Sequence, residues 1–142
     1  MGGRLNEVLV PARFMLTLGH LVAVLMLDAT KSANISRVLA NDASNSQYQA
    51  AKFEFQVAYI ICLVCFGLDL VGLLSGASLF FSRANVLQIW CHFAGGCLIA
   101  AMIEQTWSYQ YIWMALALTQ LPTAIVEVAI LVAIFGLKIV VF

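Results

Sequence analysis

Four uninterrupted apolar stretches dominate this chain, and each is long enough to cross a membrane. A spanning helix needs about 20 mostly apolar residues. The stretches run from about Val8 to Leu27, Phe53 to Leu74, Val86 to Trp107 and Tyr111 to Phe135. None alternates apolar and polar residues as a transmembrane strand does. The reading is therefore an all-α fold, an integral membrane four-helix bundle forming one domain over residues 1–142. Composition agrees: 63% of residues are hydrophobic and only 10% charged, against about 25% charged in a soluble domain. A water-facing surface cannot be built from this stock, which excludes a soluble enzyme, a nucleic-acid binder and a disordered linker. Seven basic residues balance seven acidic ones, so no charge excess points to nucleic acid.

The connections differ. Residues 28–52 form the one polar segment, read as a loop. Ser75–Asn85 and Ser108–Gln110 are short and predict antiparallel neighbours, with spans two, three and four forming a compact unit. The first span is too long for a signal h-region and no small-residue cleavage site follows it, so it reads as an uncleaved signal anchor. With both termini cytosolic, Arg4, Arg13, Arg83 and Lys138 lie inside and Lys31, Arg37 and Lys52 outside, which agrees with the positive-inside rule. The 28–52 loop is then lumenal, and Asn34-Ile35-Ser36 within it is a glycosylation sequon, making Asn34 the candidate acceptor of a glycoprotein.

Ionisable residues within a span are costly and need a partner or a role. Helical rise places Arg13, Asp69 and His92 at similar depth in the inner third, with Glu127 about one turn deeper into the membrane. Such a polar layer reads as a proton or ion path, as a hydrogen-bonded layer that fixes helix order, or as snorkelling of Arg13 beside a protonated Glu127. Asp69 and His92 sit on consecutive spans at equal depth, so a direct contact is expected. A haem between His20 and His92 is disfavoured, because the predicted spans put the two histidines about 10 Å apart in depth. Cys62-Leu63-Val64-Cys65 has CxxC spacing, but no second ligand set accompanies it. With Cys91 and Cys97 it reads as buried apolar side chains, without metal or cofactor.

Small residues recur at helical spacing: Gly72 with Gly76, Gly95 and Gly96 with Ala100, and Gly19 with Ala23. These are candidate helix-packing positions. Pro122 predicts a kink in the fourth span. Trp107, Tyr109, Tyr111 and Trp113 read as an interfacial aromatic belt.

Several segments together resemble one family. They are Leu9-Val10-Pro11-Ala12-Arg13-Phe14 followed by His20-Leu21-Val22; the run from Asp69 through Leu74-Ser75-Gly76-Ala77-Ser78 to Phe80; His92 and Glu104; Leu121-Pro122; Glu127; and Phe135-Gly136-Leu137-Lys138. In order and spacing they resemble the transmembrane protein 107 family over almost the whole chain. The resemblance implies a ciliary membrane protein of the transition zone. Such a protein assembles with the Meckel-syndrome module, including tectonic-type membrane proteins, and supports cilium biogenesis and a membrane diffusion barrier. It implies no catalytic residue and no cofactor. From the residues alone two other readings stand: a small proton-coupled transporter using Glu127 or Asp69, and an accessory subunit of another large membrane complex.

Overall fold

The computed structural model describes residues 2–39 and 43–138, with side chains from residue 7 onward. The Arg4 side chain and Asn41 and Asp42 of the predicted loop lie outside the described residues. Four helices are present: α1 Gly2–Ser36, α2 Asn45–Leu74, α3 Ser82–Glu104 and α4 Tyr111–Gly136. All four are long and apolar enough to cross a membrane, and no strand occurs among the described residues.

The buried positions explain why these residues form a bundle. On α3 they are Asn85, Gln88, His92, Gly95, Ile99 and Met102. On α2 they include Ala51, Phe55, Ala58, Cys62, Cys65, Asp69 and Gly72. On α1 they include Arg13, Thr17, His20, Val24, Leu27 and Asn34. The series advance by steps of three and four, with one seven-residue step from Leu27 to Asn34 on α1, the spacing that keeps one helix face toward its neighbours.

Helix order departs from expectation. α1 lies along α3 and α2, and α4 lies along α2 and α3, whereas the backbones of α2 and α3, and those of α1 and α4, do not meet. The bundle is a square with α2 diagonal to α3 and α1 diagonal to α4. The short α2–α3 connection thus crosses the square instead of joining neighbours. Its path depends on Gly76, whose φ of 76° lies in the left-handed region that glycine tolerates. A Cβ at Gly76 would meet nothing within 4 Å, so its role is to turn the chain, not to let helices approach as predicted.

The segment 28–52 is mostly helix, correcting the predicted loop. α1 continues to Ser36 and α2 starts at Asn45. Polar composition hid this, but local bonds carry α1 onward: Lys31 Nζ reaches Asp28 at 2.9 Å and the Thr30 hydroxyl donates to the Leu27 carbonyl. Ser44 and Gln47 form a reciprocal capping box that starts α2. At 35 residues α1 is about 52 Å long at helical rise, well beyond the ~30 Å hydrocarbon core.

The extension of α1 is docked. Ile35 and Asn34 are fully buried. The Asn34 amide donates to the carbonyls of Met102 at 3.0 Å and Trp107 at 2.7 Å, and the Tyr109 N–H donates to the Asn34 carbonyl. Asn34 is the clasp between α1 and the α3–α4 turn. Its Nδ2, the atom a glycan would occupy, is enclosed, so the folded chain is incompatible with use of this sequon. Tyr109 also leaves the predicted aromatic belt. It is buried and its hydroxyl donates to Glu54 at 2.9 Å. Burial, then the adjacent Glu54 carboxylate, pushes the phenol above its ordinary pKa. Cys62 and Cys65 are buried as expected, whereas Cys91 is half-buried and Cys97 exposed.

Two outcomes follow for Asn34. Glycosidase treatment of the chain expressed through a secretory pathway leaves its gel mobility unchanged. Asn34→Ala removes both side-chain hydrogen bonds and leaves the Met102 carbonyl only its bond from the Trp107 N–H, which lowers stability in detergent by about 1–3 kcal/mol, read as thermal unfolding.

Candidate functional site

The centre of the square is filled by side chains, and beside the apolar core it buries a connected set of polar ones. Arg13, the largest fully buried side chain, projects from α1. Its Nη1 donates to Ser78 Oγ at 2.7 Å and to Asn85 Oδ1 at 2.9 Å. Its Nη2 lies 3.0 Å from Glu127 Oε2, and both side chains have no exposure. The Gln88 amide donates to the same carboxylate oxygen at 2.6 Å. The Asn85 amide in turn donates to the Leu79 carbonyl, tying the α2–α3 connection to the cluster. This first layer bridges the α1–α4 diagonal.

The second layer lies about one helical turn away, from Gln88 to His92 on α3 and from Glu127 to Thr123 on α4. Asp69 Oδ2 is 3.4 Å from His92 Nε2, which is ion-pair range without hydrogen-bond alignment. The Thr123 hydroxyl lies 2.9 Å from the same oxygen and 2.9 Å from the Gln120 carbonyl. His20 Nδ1 sits 3.3 Å from His92 Nδ1 and 3.4 Å from the Gln120 amide nitrogen. Phe66 closes this layer, stacked on His92 and edge-on to His20. Asp69 and His92 therefore meet across the α2–α3 diagonal.

Sequence reasoning singled out Arg13, Asp69, His92 and Glu127, and the structure brings all four together, in two layers instead of one. Glu127 is not the deepest of them. It lies level with Gln88, a turn nearer the α2 C-terminus than Asp69. The expected 10 Å offset between His20 and His92 is overturned: their rings are 5.6 Å apart. The offset came from helix ends. α1 runs on to Ser36 and α3 starts at Ser82, so both histidines fall near their helix midpoints. Their direct contact leaves no gap for a haem ring between them. Among the described residues no group of three or more His, Cys, Asp or Glu is arranged to hold a metal.

Two glycines make room for this chemistry. A Cβ at Gly72 would collide with the Glu127 carboxylate, and a Cβ at Gly95 would collide with the His20 ring and meet Thr119 Oγ1 at 2.7 Å. Their packing role is thus to admit polar side chains. Gly96 merely adjoins the α1 backbone at His20, with ordinary 3.7 Å clearance.

A π-helical turn precedes Pro122, where the sequence predicts a kink. The turn spans Leu116–Gln120 and its closing N–H, from Leu121, reaches back to the Leu116 carbonyl. Thr119, Gln120, Thr123 and Glu127 all face inward from this segment, within about one 100° arc of the helix. Sequence reasoning missed Ser78, Asn85, Gln88 and Gln120 as members of the site. The signal was available: Asn85, Gln88 and His92 share one face of α3.

Chemically the cluster pairs Arg13 with Glu127 and sets Asp69 beside His92. One oxygen of each carboxylate, Glu127 Oε1 and Asp69 Oδ1, has no hydrogen-bond donor, so the layers are held by the other oxygen of each.

The fold and this interior define a class: a four-span membrane protein whose polar residues lock the helices from inside. Residues 9–131 match the family model described as TMEM107, transmembrane protein, and the chain belongs to that family. It is 32% identical to Transmembrane protein 107 of Rattus norvegicus over 96% of each chain. It is 30% identical to that of Mus musculus over 96% of each, and 28% identical to that of Danio rerio over 88% of this chain and 93% of the relative. No solved structure matches it.

A double-mutant cycle tests the lock. Arg13→Met or Glu127→Leu alone leaves a buried charge without its partner and costs about 3–5 kcal/mol, while the double variant costs much less than the sum. Gly72→Ala is comparably damaging, and combining it with Glu127→Leu costs much less than the sum, because the Cβ and the carboxylate compete for one space. Thermal unfolding of the detergent-solubilised chain reads each outcome.

Proposed function

We propose that this chain is a non-enzymatic membrane scaffold of the ciliary transition zone. Its rigid bundle helps assemble a diffusion barrier with Meckel-module and tectonic-type membrane proteins. The observation that carries the reading is the closure of the interior: Arg13 and Glu127 are fully buried and paired. A group that carries protons must reach water from each side in turn, and in this structure both are enclosed. Membership of the family and the earlier resemblance support the ciliary assignment. Charge bias supports a topology with both termini cytosolic and residues 37–44 lumenal. The sequon no longer contributes to that assignment, because Asn34 is enclosed.

The test has three readouts. A tagged chain concentrates beside a basal-body marker in ciliated cells and co-purifies with transition-zone membrane proteins. Protease added to intact cytosol-side-out vesicles removes a tag at either end. The purified chain in liposomes shows no substrate-dependent proton flux. Flux that is lost in Glu127→Gln would establish the transporter reading instead. Recovery from another membrane complex, away from cilia, would establish the accessory-subunit reading.

A further inference from the structure

At the α3–α4 turn a cavity of about 740 Å³ opens beside the end of α1. Its walls grade from polar to apolar. Arg37, Thr106 and Ser108 lie at the helix ends, Trp107 and Tyr111 stand between, and Leu98 and Met114 form the floor. Leu98 is six residues before the end of α3 at Glu104, about 9 Å down the helix. The gradient thus runs along the membrane normal, in the sense of an amphiphile with its headgroup at the surface.

The charge at the rim is uncommitted. Lys31 is paired with Asp28, whereas Arg37 forms no ion pair among the described residues. Its guanidinium suits a phosphate, which it binds through parallel hydrogen bonds. Trp107 and Tyr111 lie against each other, ring centres 5.4 Å apart, in the amphipathic setting such rings occupy at headgroup level. Thr106 holds a φ of 50°, strained for a β-branched residue. That backbone shape closes α3 and forms the cavity rim. The volume falls within the range of ligand cavities, about 300–1,000 Å³.

We propose that this cavity is a binding site for a glycerophospholipid, with the lipid phosphate on Arg37 and the upper acyl chain against Leu98 and Met114. Free phosphate shares the headgroup chemistry but makes no use of the apolar floor, so the occupant is the lipid. The site stands independently of the scaffold reading.

Native mass spectrometry of the full chain, released from detergent, tests it with three probes: dioleoyl phosphatidylglycerol, dioleoylglycerol and inorganic phosphate. Phosphatidylglycerol is retained; dioleoylglycerol, which lacks the phosphate, is not; inorganic phosphate neither binds nor displaces the lipid. Arg37→Gln weakens retention about tenfold, the loss of the charge-assisted contact, while Arg37→Lys, which keeps the charge but not the paired donors, keeps only part of it. Met114→Trp, which fills the floor, also weakens retention. Arg83→Gln, at the opposite end of the bundle, leaves it unchanged. Arg37 is exposed, so its variants keep their helical circular dichroism. Retention unaffected by Arg37→Gln, equal retention of dioleoylglycerol, displacement by inorganic phosphate, or an equal loss in Arg83→Gln would each overturn the assignment.

Discussion

The buried ion pair between Arg13 and Glu127 is the constraint around which the rest of the bundle is arranged. A lone charge in a low-dielectric interior is penalised by several kcal/mol, so each of these residues demands the other and further donors besides. The surrounding choices follow. Ser78 and Asn85 take the second guanidinium nitrogen. Gln88 supplements Arg13 at the carboxylate. Gly72 on the facing helix lacks a Cβ because the carboxylate stands where one would be. α1 and α4 are held in relation through this pair although their backbones never approach.

The second diagonal repeats the logic with milder groups. Asp69 and His92 join α2 to α3 through the centre, and His20 and Gln120 extend the contact to the other two helices. Two crossed bridges, one turn apart, fix a square that loop lengths alone would not select. Apolar side chains cannot do this in lipid, where the acyl chains solvate a leucine as well as a neighbouring helix does. Polar contacts therefore specify which helix faces which, even where each is worth only about 1 kcal/mol.

Much of this was legible in the sequence. Hydropathy located four spans, and the cost of intramembrane charge pointed to Arg13, Asp69, His92 and Glu127 before any geometry. What hydropathy could not locate was where the helices stop. Residues 28–36 and 45–52 are polar yet helical, because i,i+3 bonds, a capping box and docking of Asn34 sustain them. That error propagated: shortened spans displaced His20 from the helix centre and separated it from His92. Helix order was illegible for another reason. A short connection such as Ser75–Phe81 favours an antiparallel neighbour, but the pairing of Arg13 with Asn85 and Glu127 is a long-range fact that overrides it. Gln88 and Asn85 were passed over because amides carry no charge to flag them, although their spacing with His92 marks one helical face.

The proposed scaffold role calls for a surface that keeps its shape, and a bundle locked from inside suits that role. With the ionisable groups of the core engaged with one another, the faces left for lipid and partners carry exposed Val22, Ile60, Val64, Trp90, Phe93 and Ile125. Such faces distinguish partners in the bilayer plane by shape and close approach, not by charge. Charge-based recognition is left to the ends of the bundle, where Arg37, Arg83 and Lys138 lie at or beyond the helix termini. Apolar shape on the flanks and charge at the ends are thereby separated in a small chain, with the polar centre between them.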